Sequence, residues 1–168
     1  ALCLTADTQT YSRRERSISR QWVQRVTLRT GAEDFVHQAR MSWATIEHLK
    51  KTFPIPLIVK GINTADDARR AVDAGVDAIY VSNHGGRQLD HARACIDSLP
   101  EVVAGAAGAV PVIVDGGFMR GTDVIKALCL GATAVGIGRL EGLAMAAGGE
   151  AAVRAMLELL EKEIRINM

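Results

Sequence analysis

From residue 54 onward the chain alternates short apolar runs with longer segments of helical periodicity. The runs cover residues 56–61, 78–83, 110–116 and 134–139, and residues 1–5 open the chain in the same manner. Each is apolar along its length instead of alternating, the pattern of a parallel strand covered on both faces. The segments between them carry helix signals. Thr64 precedes a stripe of Ala65, Ala68, Ala71, Val72 and Val76, with Asp66 and Asp67 in the first turn and Gly75 near the end, which satisfies N-cap, dipole and C-cap preferences. Thr122 and Asp123 open a second predicted helix through Leu128 that closes at Gly131. Residues 150–164 predict a last amphipathic helix, and Trp43, Ile46 and Leu49 mark an earlier one.

The polar residues that close the runs, Lys60, His84, Asp115 and Arg139, follow one another at intervals of 24, 31 and 24 residues, one βα unit apiece. Repeated βα units build either a doubly wound open sheet or a (β/α)8 barrel. An open sheet concentrates its site at one crossover, whereas a barrel collects side chains from many strand ends onto one face. Since every run here ends in a residue able to do chemistry, the expected fold is α/β, a partial (β/α)8 TIM barrel. A whole barrel needs about 250 residues; the chain has 168. Residues 1–168 are therefore expected to be the C-terminal portion of one barrel domain, roughly its last five βα units, with the N-terminal strands upstream and the C-terminal end truncated.

Composition narrows the function classes. With 20 Lys plus Arg against 19 Asp plus Glu, the formal charge is +1, which argues against a general nucleic-acid surface. No run of about 18 apolar residues and no basic-then-apolar leader stands in the sequence. Cys3, Cys95 and Cys129 are odd in number and lack metal spacing, so they are read as buried free thiols in a reducing compartment. His37, His48 and His91 have no second ligand at metal spacing, and no metal site is expected. The arginines at 13, 14, 16, 20, 25 and 29 form either a solvated charge run or an active-site loop.

The most informative stretch runs from Val81 to Asp90. A histidine leaving a buried strand and followed by Gly85 and Gly86 places an imidazole on a loop that a ligand can approach closely. Arg87 can grip a carboxylate with its planar fork. Acid–base residue plus anion clamp suggests an acidic substrate, although a structural histidine capped by a turn explains the same residues. Asp115-Gly116-Gly117 with Arg120, followed one unit later by Gly136, Gly138 and Arg139, matches a phosphate cradle in the loops after the last barrel strands. Lys60 adds a cation on the same face, a costly placement unless it meets an anion or an electron-rich ring.

Through these motifs the sequence resembles the FMN-dependent α-hydroxy-acid oxidases and dehydrogenases, the family of glycolate oxidase, lactate oxidase, mandelate dehydrogenase and flavocytochrome b2. The resemblance runs from Leu4-Thr5-Ala6-Asp7-Thr8 and Arg13-Arg14-Glu15, through Lys60-Gly61 and the decapeptide around His84, to Gly138-Arg139. It implies FMN as cofactor and oxidation of a small L-2-hydroxy acid to the 2-oxo acid. By that resemblance His84 is the base, Asp7 its carboxylate partner, Arg87 and Arg14 the substrate-carboxylate clamps, and Lys60 the cation beside flavin N1 and O2. Thr5 and Ser82 match flavin-contacting positions. Asp115, Gly116, Gly117, Gly138 and Arg139 match the ribityl and phosphate cradle. Where many relatives have two arginines, this chain has Met119 and Arg120, and Arg120 or Arg139 is expected to compensate at the phosphate. The resemblance further implies a quinone, cytochrome or oxygen as electron acceptor, with Gly86 favouring the first two, and a homo-oligomer, tetrameric as in the family, in the cytoplasm or attached to a membrane. Two other readings stay open at this point: another FMN- or phosphate-binding barrel of the type 2 isopentenyl-diphosphate isomerase kind, and a non-catalytic barrel fragment.

Overall fold

The structure, a computed structural model, describes residues 1–8, 19–20, 40–89 and 91–168. The opening run forms β1 (Leu2–Thr5), and α1 (Trp43–Thr52) leads to β2 (Leu57–Lys60). Then come α2 (Ala65–Asp73), β3 (Ala78–Val81), α3 (Cys95–Ala106), β4 (Val112–Val114), α4 (Gly121–Cys129), β5 (Ala134–Val135) and α5 (Arg139–Asn167). Among the described residues the four strand pairings are parallel, and the sheet order is β1-β2-β3-β4-β5. A doubly wound sheet must reverse its strand order at a switch point. This order never reverses, so with right-handed crossovers the described helices that connect two strands fall on the same side. That is the winding of a barrel wall.

Strand parity separates core from site. Val59 on β2, Ile79 and Val81 on β3 and Val114 on β4 are fully buried, in one cluster with Ala68 and Ala71 of α2, Leu99 and Val102 of α3 and Ala127 of α4. The alternate positions, Cys3 and Thr5, Ile58 and Lys60, Tyr80, and Ile113, point to the other face. That face is only part-covered: Ile58, Lys60, Tyr80 and Ile113 are half-buried and Cys3 is exposed. The sequence pattern predicts burial on both faces; the helix face achieves it, and the other face does so only at positions such as Ala78 and Ser82. The same parity corrects the reading of the thiols. All three are free, but only Cys95 is buried, while Cys3 faces away from the helices and Cys129 ends α4 in an exposed position.

Two helix starts bear on the site. Thr64 caps α2 by accepting the Asp67 N–H at 3.1 Å, and Glu101 of α3 accepts the Ala65 N–H at 3.0 Å, so two otherwise orphaned donors are satisfied. Helix α4 starts one residue earlier than predicted, at Gly121, because Asp123 turns back to accept the N–H groups of Met119 and Arg120 at 3.1 and 3.0 Å. Helix α5 is longer than the predicted 150–164 and is broken by non-helical geometry at Gly148 and Gly149.

Candidate active site

The same parity that keeps Val59, Val81 and Val114 against the helices sends their neighbours Lys60, Ser82 and Asp115 to the opposite face, at the C-terminal ends of β2, β3 and β4. There Lys60 Nζ donates to Ser82 Oγ at 2.6 Å and stands 3.2 Å from Asp115 Oδ2. These two charged side chains are 17% and 21% exposed, so their attraction is less screened than that of a surface pair. Ser82 is fully buried, and its Oγ also accepts the His84 N–H at 3.2 Å, which leaves its own hydrogen to donate. Thr5 is the register partner of Lys60 and shares its face.

Past Ser82 the backbone makes a left-handed turn: His84, Gly85 and Gly86 have φ of 55, 65 and 71°. Two glycines carry this at little cost; at His84 the conformation costs about 1–2 kcal/mol. The turn is held by Asn83, whose backbone and side-chain oxygens accept the Gly86 N–H at 2.9 and 3.1 Å. It brings His84 Nδ1 to 2.8 Å from both carboxylate oxygens of Asp7. Asp7 gets that close because Gly61 lacks a side chain: a Cβ there would lie 2.7 Å from Asp7 Cβ. With Nδ1–H donated to the carboxylate, Nε2 carries the lone pair and is the basic nitrogen.

His84 lines a cavity of about 670 Å³ together with Lys60, Arg87, Asp115, Gly116, Gly117, Met119, Gly136, Gly138 and Arg139, bordered by Phe118, Leu140 and Leu143. Arg87 is exposed at its rim. Arg139 Nη2 donates to the Gly85 carbonyl at 3.2 Å, tying the phosphate-type loop to the histidine turn. Gly116 and Gly117, with φ of 100 and 89°, both line the cavity, where neither has a side chain to cover its backbone. Asp115 Oδ1 is buried without a donor. A buried acceptor in that state calls for a ligand hydroxyl or amide. Behind the wall, burial above all pushes the Tyr80 phenol up to about 12, with the Asp115 carboxylate adding to it, and burial likewise pushes the Cys95 thiol up to about 11.

The structure thus gathers Asp7, Lys60, Ser82, His84, Arg87, Asp115, Gly116, Gly117, Gly138 and Arg139 at one end of the sheet. Arg120 is a correction. Its guanidinium turns away from the cavity and is held by Glu163 of α5, with Nε at 2.8 Å and Nη2 at 2.5 Å from Oε1, while Met119 takes the place on the cavity wall. Glu163 has the stronger claim because it already sits at the α4 N-terminus, accepting the Gly121 N–H at 2.7 Å. Arg14 lies outside the described residues. Sequence reasoning missed the close approach enabled by Gly61, the turn-holding role of Asn83, and Tyr80. For Tyr80 the available signal was its parity with Ser82 and His84, which places it on the site face of β3.

Residues 19–168 match the family model for FMN-dependent dehydrogenases. The chain belongs to that family. Among its relatives, a peroxisomal (S)-2-hydroxy-acid oxidase of Oryza sativa subsp. japonica is 56% identical over 128 residues, covering 76% of this chain and 35% of the relative. An L-lactate oxidase of Nostoc sp. is 52% identical over the same shares, and an Arabidopsis thaliana peroxisomal (S)-2-hydroxyacid oxidase is 43% identical over 100% of this chain and 51% of its own length. A solved structure of mandelate oxidase with (S)-2-phenylpropionate superposes with a TM-score of 0.83 at 42% identity, covering 96% of this chain and 47% of that one. The chain therefore spans between about a third and a half of the length of these relatives. It folds as part of the TIM barrel of FMN-dependent hydroxy-acid oxidases, and the family's cofactor is FMN.

The residues present fit that cofactor. The orphaned Asp115 oxygen suits a ribityl hydroxyl, the bare Gly116–Gly117 backbone and Arg139 suit a phosphate, and Lys60 supplies a cation. The cavity volume lies within the range of about 300–1,000 Å³ usual for small-ligand sites. Among the described residues no cluster of three or more His, Cys, Asp or Glu could hold a metal ion, and no helix is long and apolar enough to cross a membrane.

Proposed function

We propose that the protein to which this chain belongs oxidises a small L-2-hydroxy acid to the 2-oxo acid, and that residues 1–168 are the C-terminal portion of its single FMN-binding barrel domain. The observation that carries this reading is the Asp7–His84 pair, closed to 2.8 Å at Nδ1 and open at a cavity that also holds Lys60, Arg87 and Arg139. FMN, when bound, would supply the ring that accepts the two electrons together with one of the two protons the substrate loses. His84 Nε2 takes the other proton, and Asp7 stabilises and orients the resulting imidazolium. Arg87 binds the substrate carboxylate through charge-assisted hydrogen bonds. Lys60 would offer its cation to the part of the flavin that becomes negative on reduction, and Ser82, buried behind it, holds Lys60 in place by accepting from its Nζ. Asp115 accepts from the ribityl chain. Gly116, Gly117, Gly138 and Arg139 hold the phosphate without help from Arg120.

The acceptor is a second choice within this reading. Gly86 points to a quinone or cytochrome, whereas the relatives named above are oxidases. A cytoplasmic homo-oligomer is proposed on the same family basis. The test is steady-state oxidation of lactate, glycolate and mandelate by the full-length protein, with an artificial dye and separately with oxygen, followed by anaerobic bleaching of bound-flavin absorbance. Turnover with at least one acid and bleaching by it are expected. A full-length protein that stays colourless after FMN is added overturns the proposal.

A further inference from the structure

Tyr80 looks from the sequence like one more apolar member of a buried strand, but its surroundings are electrostatic. It is the register partner of Lys60 across β2 and β3 and of Ile113 across β3 and β4. Lys60 Nζ stands 5.2 Å from the centroid of its ring, within cation–π range. Its hydroxyl reaches past β4: a Cβ on Gly136 would lie 2.0 Å from Tyr80 Oη and 3.3 Å from Asp115 Cβ. Tyr80 is therefore behind the cavity wall rather than in it, backing Lys60, Asp115 and Gly136, which do line it. One residue thus neighbours both members of the Lys60–Asp115 ion pair, with its negative ring face toward the cation and its hydroxyl on the same side of Gly136 that Asp115 flanks. Its phenol stays neutral to about 12, so it keeps its hydrogen and adds no second anion near Asp115 throughout the working range.

We propose that Tyr80 is a positioning residue: it holds the Lys60–Asp115 pair against the cofactor cavity and thereby sets how strongly the site prefers reduced over oxidised FMN. The inference rests on the reading of Lys60 as the cation facing the flavin. Loosening Lys60 costs the reduced, negatively charged ring more than the oxidised one, because only the former gains from a fixed cation.

The test measures the FMN midpoint potential of the full-length, flavin-loaded protein in Y80L, Y80F and K60M. Removing the ring with Y80L is expected to weaken reduced FMN about tenfold relative to oxidised FMN, a fall in potential of about 30 mV for two electrons. Y80F, which keeps the ring and loses only the hydroxyl, is expected to give roughly a threefold relative loss, and decides the matter if Y80L does not fold. K60M should lower the potential further than either. A K60M potential equal to the parent overturns the reading of Lys60 and the inference with it. A shifted K60M with parental Y80L and Y80F overturns the inference alone. A readout without flavin comes from the full-length apoprotein, as the difference in absorbance titration between the parent and Y80F, which isolates the Tyr80 phenol from any other tyrosine. That difference, taken at about 295 nm with and without D115N, should show the Tyr80 ionisation moving down from about 12 toward the ordinary value of 10 in D115N, and no movement would also overturn the inference.

Discussion

Replacing Asp7 by Asn removes one charge and keeps the shape, so it isolates what the carboxylate does for His84. Nδ1 lies 2.8 Å from each carboxylate oxygen, and the two side chains are 31% and 15% exposed. When the imidazole takes up a proton, two opposite charges face each other at about 4 Å between their centres, worth roughly 4 kcal/mol at an effective dielectric of about 20. Partial exposure of the imidazole screens this, leaving on the order of 2–4 kcal/mol, which converts to roughly 30- to 1,000-fold in rate. An amide nitrogen facing Nδ1 would also favour the tautomer with hydrogen on Nε2, which is no base at all. Stopped-flow reduction of bound FMN by a saturating 2-hydroxy acid is the assay, in D7N and the parent. The limiting reduction rate should fall about a hundredfold while substrate dissociation changes less than about threefold, since Asp7 meets His84 and not the carboxylate clamp. An unchanged limiting rate with a raised KM would refute the assignment of Asp7 as the partner of a proton-accepting imidazole.

Gly61→Ala should lower the same rate roughly tenfold or more with both reacting groups intact, because the new Cβ, 2.7 Å from Asp7 Cβ and at φ of 108°, must push the carboxylate off His84; parental kinetics would show that the close approach is dispensable. Leu99→Ala opens a fully buried position between α3 and the sheet and should cost about 2–5 kcal/mol in urea unfolding with little effect on flavin affinity once folded. Glu163 is held below the ordinary carboxylate range, first by its hydrogen bond from Arg120 and then by the Gly121 N–H. The unfolded chain therefore binds more protons in acid: the stabilisation is complete above about pH 4.5 and is lost as pH falls through the lower folded value. Glu163→Gln should consequently be less stable than the parent at pH 7 and show a flatter urea midpoint between pH 5 and pH 3, and FMN affinity should hold, since Arg120 is turned away from the cavity; parallel midpoint curves would remove Glu163 from acid unfolding.

The βα rhythm was legible along the chain because a parallel strand leaves an uninterrupted apolar run and a helix leaves a cap and a stripe. Residues 57–60, 78–81 and 112–114 could be placed from those signals, as could Thr64 at its helix start. The motif residues Asp7, Lys60, His84, Arg87 and Asp115 were legible by type and spacing, since each stands at or just past the polar end of such a run. What distance in sequence hides, packing decided. Whether Arg120 meets a phosphate or a carboxylate depends on Glu163, which lies 43 positions away and reaches it only once α4 and α5 pack together. Gly61 and Gly136 look like ordinary turn glycines until Asp7 and the Tyr80 hydroxyl occupy the space their side chains would need. Tyr80 and Cys3 sit in apolar runs, yet strand parity turns both to the face away from the helices, and which face carries the charges is a property of the assembled sheet. Local sequence specifies elements because their signals lie within a few turns of backbone; ion pairs, close approaches and the sidedness of a sheet arise between elements, and exist only after the chain has folded.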